Sequence, residues 1–213
     1  MTPSRPPPPS APANQREAAK QATQQAVLAE ARNAFDELGF ERANLREIAA
    51  RAGVSAPTVL HYYGDKRGLL HAALYEDLET ALSGAIEAAR RKRSLDTQLG
   101  ALTAAMFGFY EARPALSRVA LKESLVADPP WAQRFAAQTE RASHAVAALA
   151  ARARERGELA PDCDPTLLSV TYLSIFYFAL IAWVQRTVSD PTALVAHQVK
   201  QLLRNHSPKR RDP

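Results

Sequence analysis

Residues Asn44–Lys66 read NLREIAARAGVSAPTVLHYYGDK. Leu45, Ile48 and Ala49 stand at i, i+3 and i+4, which places them on one face of a helix. Asn44 precedes that face and Glu47 follows three residues later, an arrangement that satisfies free N-terminal amides. Ala52-Gly53-Val54 is a turn, and Gly53 supplies the left-handed conformation that a side chain resists. Ser55 caps a second helix, and Pro57 falls in its first turn, where a missing N–H costs nothing. Val59 is expected to point back onto Ile48. The opposite face is left to Ala56, Pro57, Thr58, His61 and Tyr62, small or hydrogen-bonding groups suited to base edges and phosphates. Two short helices on a tight turn form a helix-turn-helix, whose second helix lies in a DNA major groove.

Upstream, a first helix is expected from about Arg16 to Leu38, with Val27, Leu28, Ala31, Phe35 and Leu38 as its apolar stripe. Gly39 ends it, and Phe40 can fold back onto its end. Residues 1–13, MTPSRPPPPSAPA, are a Pro-rich leader with little apolar surface to bury, expected to be disordered or polyproline-like. Nothing in the N-terminus reads as a signal peptide.

Downstream, the chain continues as helix after helix with no alternating strand pattern. Asp65 caps a helix that runs through Leu69, Leu70, Leu74, Leu78 and Leu82 to Arg90. Further helices are expected at about 95–112, 115–127, 130–156, 165–188 and 191–205, punctuated by Pro114, Pro129-Pro130, Gly157, Pro161, Pro165 and Pro191. The run Arg90-Arg91-Lys92-Arg93 complements a helix C-terminus. Ser207–Pro213 is a basic tail. The fold class is therefore all-α, and 213 residues suffice for two compact units.

The formal net charge is +5 and the pI about 9.6, compatible with an anionic partner. The positive charge is not concentrated around the motif, however. Between Gln15 and Leu70 eight Lys and Arg face seven Asp and Glu. DNA affinity must then rest on the placement of a few groups and on dimerisation. Cys163 is the single cysteine, so no internal disulfide is possible, which fits a reducing cytoplasm.

The segment Leu167–Val184 is apolar almost all round and at the short limit for a membrane span. It holds Ser169, Thr171, Tyr172, Ser174 and Tyr177, and reads as a buried helix at a subunit interface. Paired with the last helix (Leu194, Val195, Val199, Leu202, Leu203), it suggests a four-helix interface across a two-fold axis. No membrane segment is assigned.

No HExxH, P-loop, GxGxxG or CxxC pattern occurs, and the five histidines share no ligand spacing. No enzyme, metal site or cofactor is expected. The second half does offer an apolar and aromatic set for a ligand pocket between helices: Phe107, Tyr110, Trp131, Phe135, Tyr172 and Phe176, with His144 as a polar group.

Residues about 24–71 resemble the N-terminal domain of TetR-type transcriptional regulators. The matching features are VLAEARNAFDELGF, then NLREIAARAGVS, then a short helix and an aromatic-rich stretch before DKRGLL. The resemblance implies a homodimeric regulator, most often a repressor, whose C-terminal domain binds a small molecule and thereby spreads the two DNA-binding heads. It implies domains at 14–70 (DNA binding, motif about 44–63) and 71–206 (ligand binding and dimerisation), between the leader and the tail at 207–213. Carried over by position, Ser55, Ala56, Pro57, Thr58, His61 and Tyr62 lie at the DNA. Asn44 and Arg46 touch the backbone, and Lys66 holds a phosphate together with its helix's N-terminal amides.

The sequence departs from the family pattern at Leu60, where Tyr is usual and commonly meets phosphate, and at Asn44, Ala56 and Tyr63. Ala56 limits base readout there to apolar contact with a thymine methyl. The reading is a cytoplasmic DNA-binding regulator acting on a palindromic operator. The rivals are a helical dimeric module controlled by a protein partner, and a helical enzyme using the C-terminal cavity.

Overall fold

The computed structural model describes residues 13–208, so the leader, apart from Ala13, and the basic end of the tail lie outside the described residues. Among the described residues every regular element is a helix. These are α1 (Ala13–Arg42), α2 (Leu45–Arg51), α3 (Ala56–Tyr63), α4 (Lys66–Arg90), α5 (Leu95–Ala112), α6 (Pro114–Val126), α7 (Trp131–Glu155), α8 (Pro165–Val184) and α9 (Pro191–Asn205). The chain divides into two compact units between Ala73 and Leu74, a division that falls inside α4.

In the first unit, Val27, Leu28, Ala31 and Phe35 of α1 are buried, and the helical path breaks at Gly39 (φ 77°, ψ 161°). Phe40 turns back so that its ring lies 5.8 Å from that of Phe35. Asn44 Oδ1 accepts the Arg46 N–H at 2.9 Å and opens α2, whose Ile48 and Ala49 are buried. Gly53 has φ 70°, and the Val54 N–H closes the turn onto Ala49 O at 2.9 Å. Ser55 Oγ accepts the Thr58 N–H at 3.3 Å, capping α3, and Val59 is fully buried against the packed α2–α3 pair.

Asp65 Oδ1 accepts the Gly68 N–H at 2.6 Å and caps α4. The corner between α3 and α4 is so tight that a Cβ on Gly68 would run into the Tyr63 carbonyl oxygen. Glycine is used here because the backbone itself occupies the place of a side chain.

In the second unit, α8 packs on α7 and α9, and α5 packs on α7 and α9. Leu99, Leu102, Phe107, Val146, Leu149, Leu168, Leu180 and Val195 are among the side chains that fill the space between them. Helix α8 is shorter than its apolar run suggests: it stops at Val184, not near 188. The Thr187 N–H bonds back to Ala182 O at 2.9 Å, and Arg186 takes φ 62°. This is a Schellman-type ending with arginine in the left-handed position usually held by glycine.

Candidate functional site

The outward face of α3 is built by the same residues that fold it. With Val59 turned inward, Pro57, Leu60 and His61 are exposed, and Ala56, Thr58 and Tyr62 are half-buried. The His61 and Tyr62 rings lie 5.4 Å apart. Thr58 Oγ1 sits 2.8 Å from Ser55 Oγ, so two of the candidate DNA-contacting hydroxyls bond to each other. Asn44 and Arg46 are exposed at the start of α2, the Asn44 carbonyl oxygen being engaged in its cap. Leu60 is 44% exposed, an apolar group on a face otherwise polar or small.

Lys66 is placed differently from expectation. Its Nζ donates to the carbonyl oxygens of Phe40 (2.8 Å), Glu41 (3.0 Å) and Ala43 (3.2 Å), and lies 4.6 Å from the centre of the Phe40 ring. An ammonium has three N–H donors, and all three are used by the main chain after Gly39. Lys66 is thus a clamp on the end of α1 rather than an open phosphate ligand.

The second unit contains a cavity of about 60 Å³ between α4, α5, α7 and α8. Leu78 and Leu82 form one side of it, Leu102 and Met106 another, and Leu173 and Phe176 a third. Its polar groups are Tyr110, Tyr172, Tyr177, Gln138 and Thr139. Of the expected pocket residues, Tyr110, Tyr172 and Phe176 line it. Phe107 is buried behind Phe176, ring centroids 4.8 Å apart. Trp131 and Phe135 belong to a separate aromatic cluster with Tyr75, and Arg134 covers the Trp131 ring at 4.5 Å. His144 is on the outer face of α7, exposed and 4.0 Å from Glu140.

Gln138 is one of the nine cavity-wall residues that sequence reasoning missed, and the most polar of them. It lies three residues after Phe135 and four before Ala142, so a polar residue inside an apolar stripe was the available signal. Its Nε2 donates to Tyr75 O (3.0 Å) and to Glu79 Oε2 (3.1 Å), while its Oε1 is buried without a partner. Glu79 is held in turn by Arg141 at 2.7 Å. Tyr172 bonds to Thr103 Oγ1 at 2.9 Å and Tyr177 to Thr139 Oγ1 at 3.2 Å. Burial pushes the phenols of Tyr110 and Tyr172 well above the usual tyrosine range, helped at Tyr110 by the neighbouring Tyr177.

Helix α8 carries a second surface. Leu167, Val170, Phe178 and Ile181 fall on one side of it, and Leu167 and Phe178 are 63% and 67% exposed. By length and composition α8 could cross a membrane, yet its other face is packed against α7 and α9. On α9, Val195 and Val199 are buried inside the unit. Cys163 is buried as well, and that burial raises its thiol above the ordinary value, an inert setting rather than a reactive one. Among the described residues no three His, Cys, Asp or Glu are grouped so as to hold a metal ion.

A capped helix-turn-helix whose second helix keeps an exposed outer face, followed by a helical unit with a cavity between its helices, is the architecture of helix-turn-helix proteins. Residues 27–73 match the model of bacterial regulatory proteins of the tetR family. The chain is 30% identical over 126 residues to the transcriptional activator FasR of Mycolicibacterium smegmatis, covering 59% of this chain and 58% of FasR. It is 38% identical over 78 residues to the regulator BetI 2 of Chromohalobacter salexigens, covering 37% of each chain. The chain therefore spans less than two thirds of the length of these curated relatives. The likeness in fold is wider. The Thermus thermophilus FadR structure, described as a repressor in complex with lauroyl-CoA, superposes with a TM-score of 0.69 and 23% identity, over 89% of this chain and 97% of that one. The similarity to the TetR family of transcriptional regulators is thus in sequence over residues 27–73 and in fold over most of the chain.

Proposed function

We propose that the protein is a homodimeric, sequence-specific DNA-binding repressor released from a palindromic operator by a small molecule. The observation that carries the DNA reading is the division of labour on α3. Val59 alone is fully buried, while Pro57, His61 and their neighbours have no core role. Asn44 and Arg46 flank that face as backbone contacts. The nearly balanced charge of the head makes a single head a weak binder, and two heads on one duplex supply what one lacks.

The apolar stripe of α8 supports the dimer. Four large side chains exposed along one side of a helix mark a protein contact rather than a solvent face. The cavity supports the effector, although its volume is far below the several hundred Å³ of an ordinary ligand pocket, so an occupant must be small or must part the walls. An effector acts only through differential affinity. A hundredfold change in operator affinity needs about 2.7 kcal/mol of preference for the DNA-incompetent state. A cytoplasmic location follows from this reading.

Selection of bound sequences from a random duplex library, at stated salt, tests the proposal. The expected product is a palindrome whose half-sites lie about one helical turn apart or a little more. Recovery of no enriched sequence, with binding lost smoothly as salt rises, overturns it.

A further inference from the structure

Residues 15–22 of α1 are all exposed, and the first buried side chain of the helix is Val27. About three turns of helix thus run past the packed part of the first unit. Their composition explains why they are helical without a core. Residues 13–26 are mostly Ala, Gln, Arg, Lys and Glu, strong helix formers, and the packed end of α1 supplies the nucleus. The same segment contains no Leu, Ile, Val, Met, Phe, Tyr or Trp, so it offers no apolar anchor to a partner protein.

What it offers is charge. Residues 27–70 hold six Lys and Arg against six Asp and Glu, so the packed part of the unit is neutral. Of those cations, Lys66 is bound to the main chain, Arg42 Nε donates to Leu38 O at 2.9 Å and Arg51 pairs with Glu37 at 3.2 Å. Residues 1–26 hold Arg5, Arg16 and Lys20 against Glu17 alone. Arg16 is exposed, and Lys20 pairs with the equally exposed Glu17 at 4.0 Å, a surface contact that holds neither group firmly. By helical spacing, Arg16, Lys20 and Gln24 continue the stripe on which Val27 and Ala31 are buried. The inward stripe of α1 therefore turns cationic where the packed part ends.

That end is tied to α3. Tyr63, the last residue of α3, donates its hydroxyl to Gln24 O at 3.3 Å. Lys20 and Arg16 follow about 6 and 12 Å further along the axis of α1. The major groove is about 12 Å wide, so a helix lying in it has phosphate strands on both sides within that distance. Resting on the reading of α3 as the DNA-facing helix, we infer that Arg16 and Lys20 form a second DNA contact, holding phosphates of a strand that flanks the groove. This arm supplies the sequence-independent attraction that the neutral part of the unit lacks, and α3 supplies the choice of sequence.

Binding of the full chain to the selected operator and to a random-sequence duplex of equal length, each across a salt series, tests this. In the double variant Arg16→Gln/Lys20→Gln the slope of log affinity against log salt should flatten by about two units per head, equally on both duplexes. Arg16→Lys/Lys20→Arg, which keeps both charges, should leave the slope as it was. Glutamine preserves helix propensity and both positions are exposed, so the denaturation midpoint should not move. An unchanged slope in the glutamine variant overturns the inference, as does a loss confined to the operator, which is the mark of base readout. The two readings fail separately. If no operator is recovered but the random duplex shows the flattened slope, the phosphate contact stands and sequence-specific regulation falls. If an operator is recovered and the slope is unaffected, regulation stands and the arm falls. Absence of binding to either duplex overturns both.

Discussion

The ammonium of Lys66, at the first turn of α4, lies 2.8 Å from the carbonyl oxygen of Phe40, 26 residues earlier in the chain. With Glu41 and Ala43 it closes the end of α1 against the start of α4 inside the first unit. Lys66→Met should lower the stability of the head by about 2 kcal/mol, the scale of hydrogen bonds to a charged group. The slope of log affinity against log salt should stay unchanged, whereas loss of a phosphate ligand flattens it by about one unit. Denaturant titration and a salt series on the selected operator read the two effects separately.

Gly68 makes the α3–α4 corner possible, because a Cβ there meets the Tyr63 carbonyl. Gly68→Ala should cost about 2 kcal/mol or more, since main chain rather than a flexible side chain must give way. A fall in the denaturation midpoint of the head, with operator affinity reduced in proportion to the unfolded fraction, is the expected result. An unchanged midpoint would show that the corner is looser than described.

Phe178 is mostly exposed on its own unit, so its replacement leaves the monomer core intact. Phe178→Glu places a charge in the stripe proposed as the dimer contact and should weaken dimerisation by about 30-fold or more, the scale of a hot-spot residue. Sedimentation velocity across a concentration series reads this directly. A dimer of unaltered strength would remove the α8 stripe from the interface.

The raised phenols of Tyr110 and Tyr172 set the sign of an alkaline effect. Their protonated forms are favoured in the folded state, so this stability is complete below the unfolded pKa near 10. It is lost as pH rises through and above that value toward the folded pKa. Each phenol contributes a slope of about 1.4 kcal/mol per pH unit in that window. Urea denaturation between pH 8 and 11 should show stability falling only above about 10, and Tyr172→Phe should make the fall shallower.

Arg186 holds the left-handed position that ends α8, with φ 62°. Arg186→Gly removes the clash of Cβ with the following carbonyl and should stabilise the second unit by about 1 kcal/mol. A rise in the thermal midpoint without change in the oligomeric state is the outcome expected.

Local rules carried the reading of the head a long way. The caps of Asn44, Ser55 and Asp65, the turn at Gly53 and the break at Gly39 each depend on residues within four positions, and each is visible in order along the chain. The role of Lys66 was not legible, because its three acceptors are backbone atoms more than twenty residues away, and carbonyls carry no sequence signature. The cavity was half legible for a related reason. Helical periodicity tells which side of a helix faces inward but not whether that side meets a neighbour or a gap. Tyr110, Tyr172 and Phe176 turned out to border the gap, whereas Trp131 and Phe135 pack on Tyr75 and His144 faces outward. The end of α8 was missed because nothing in Gln185-Arg186-Thr187 announces a left-handed residue.

The two sides of α3 answer to different demands, and that separation has a consequence for how such a head can change. Val59, Lys66 and Gly68 fix the frame, while Ala56, Pro57, His61 and Tyr62 take no fully buried place in it. Substitutions on the outer side can therefore accumulate at little expense to folding. A duplicated copy of the gene could acquire a new DNA target in a handful of steps, each leaving a protein that still folds.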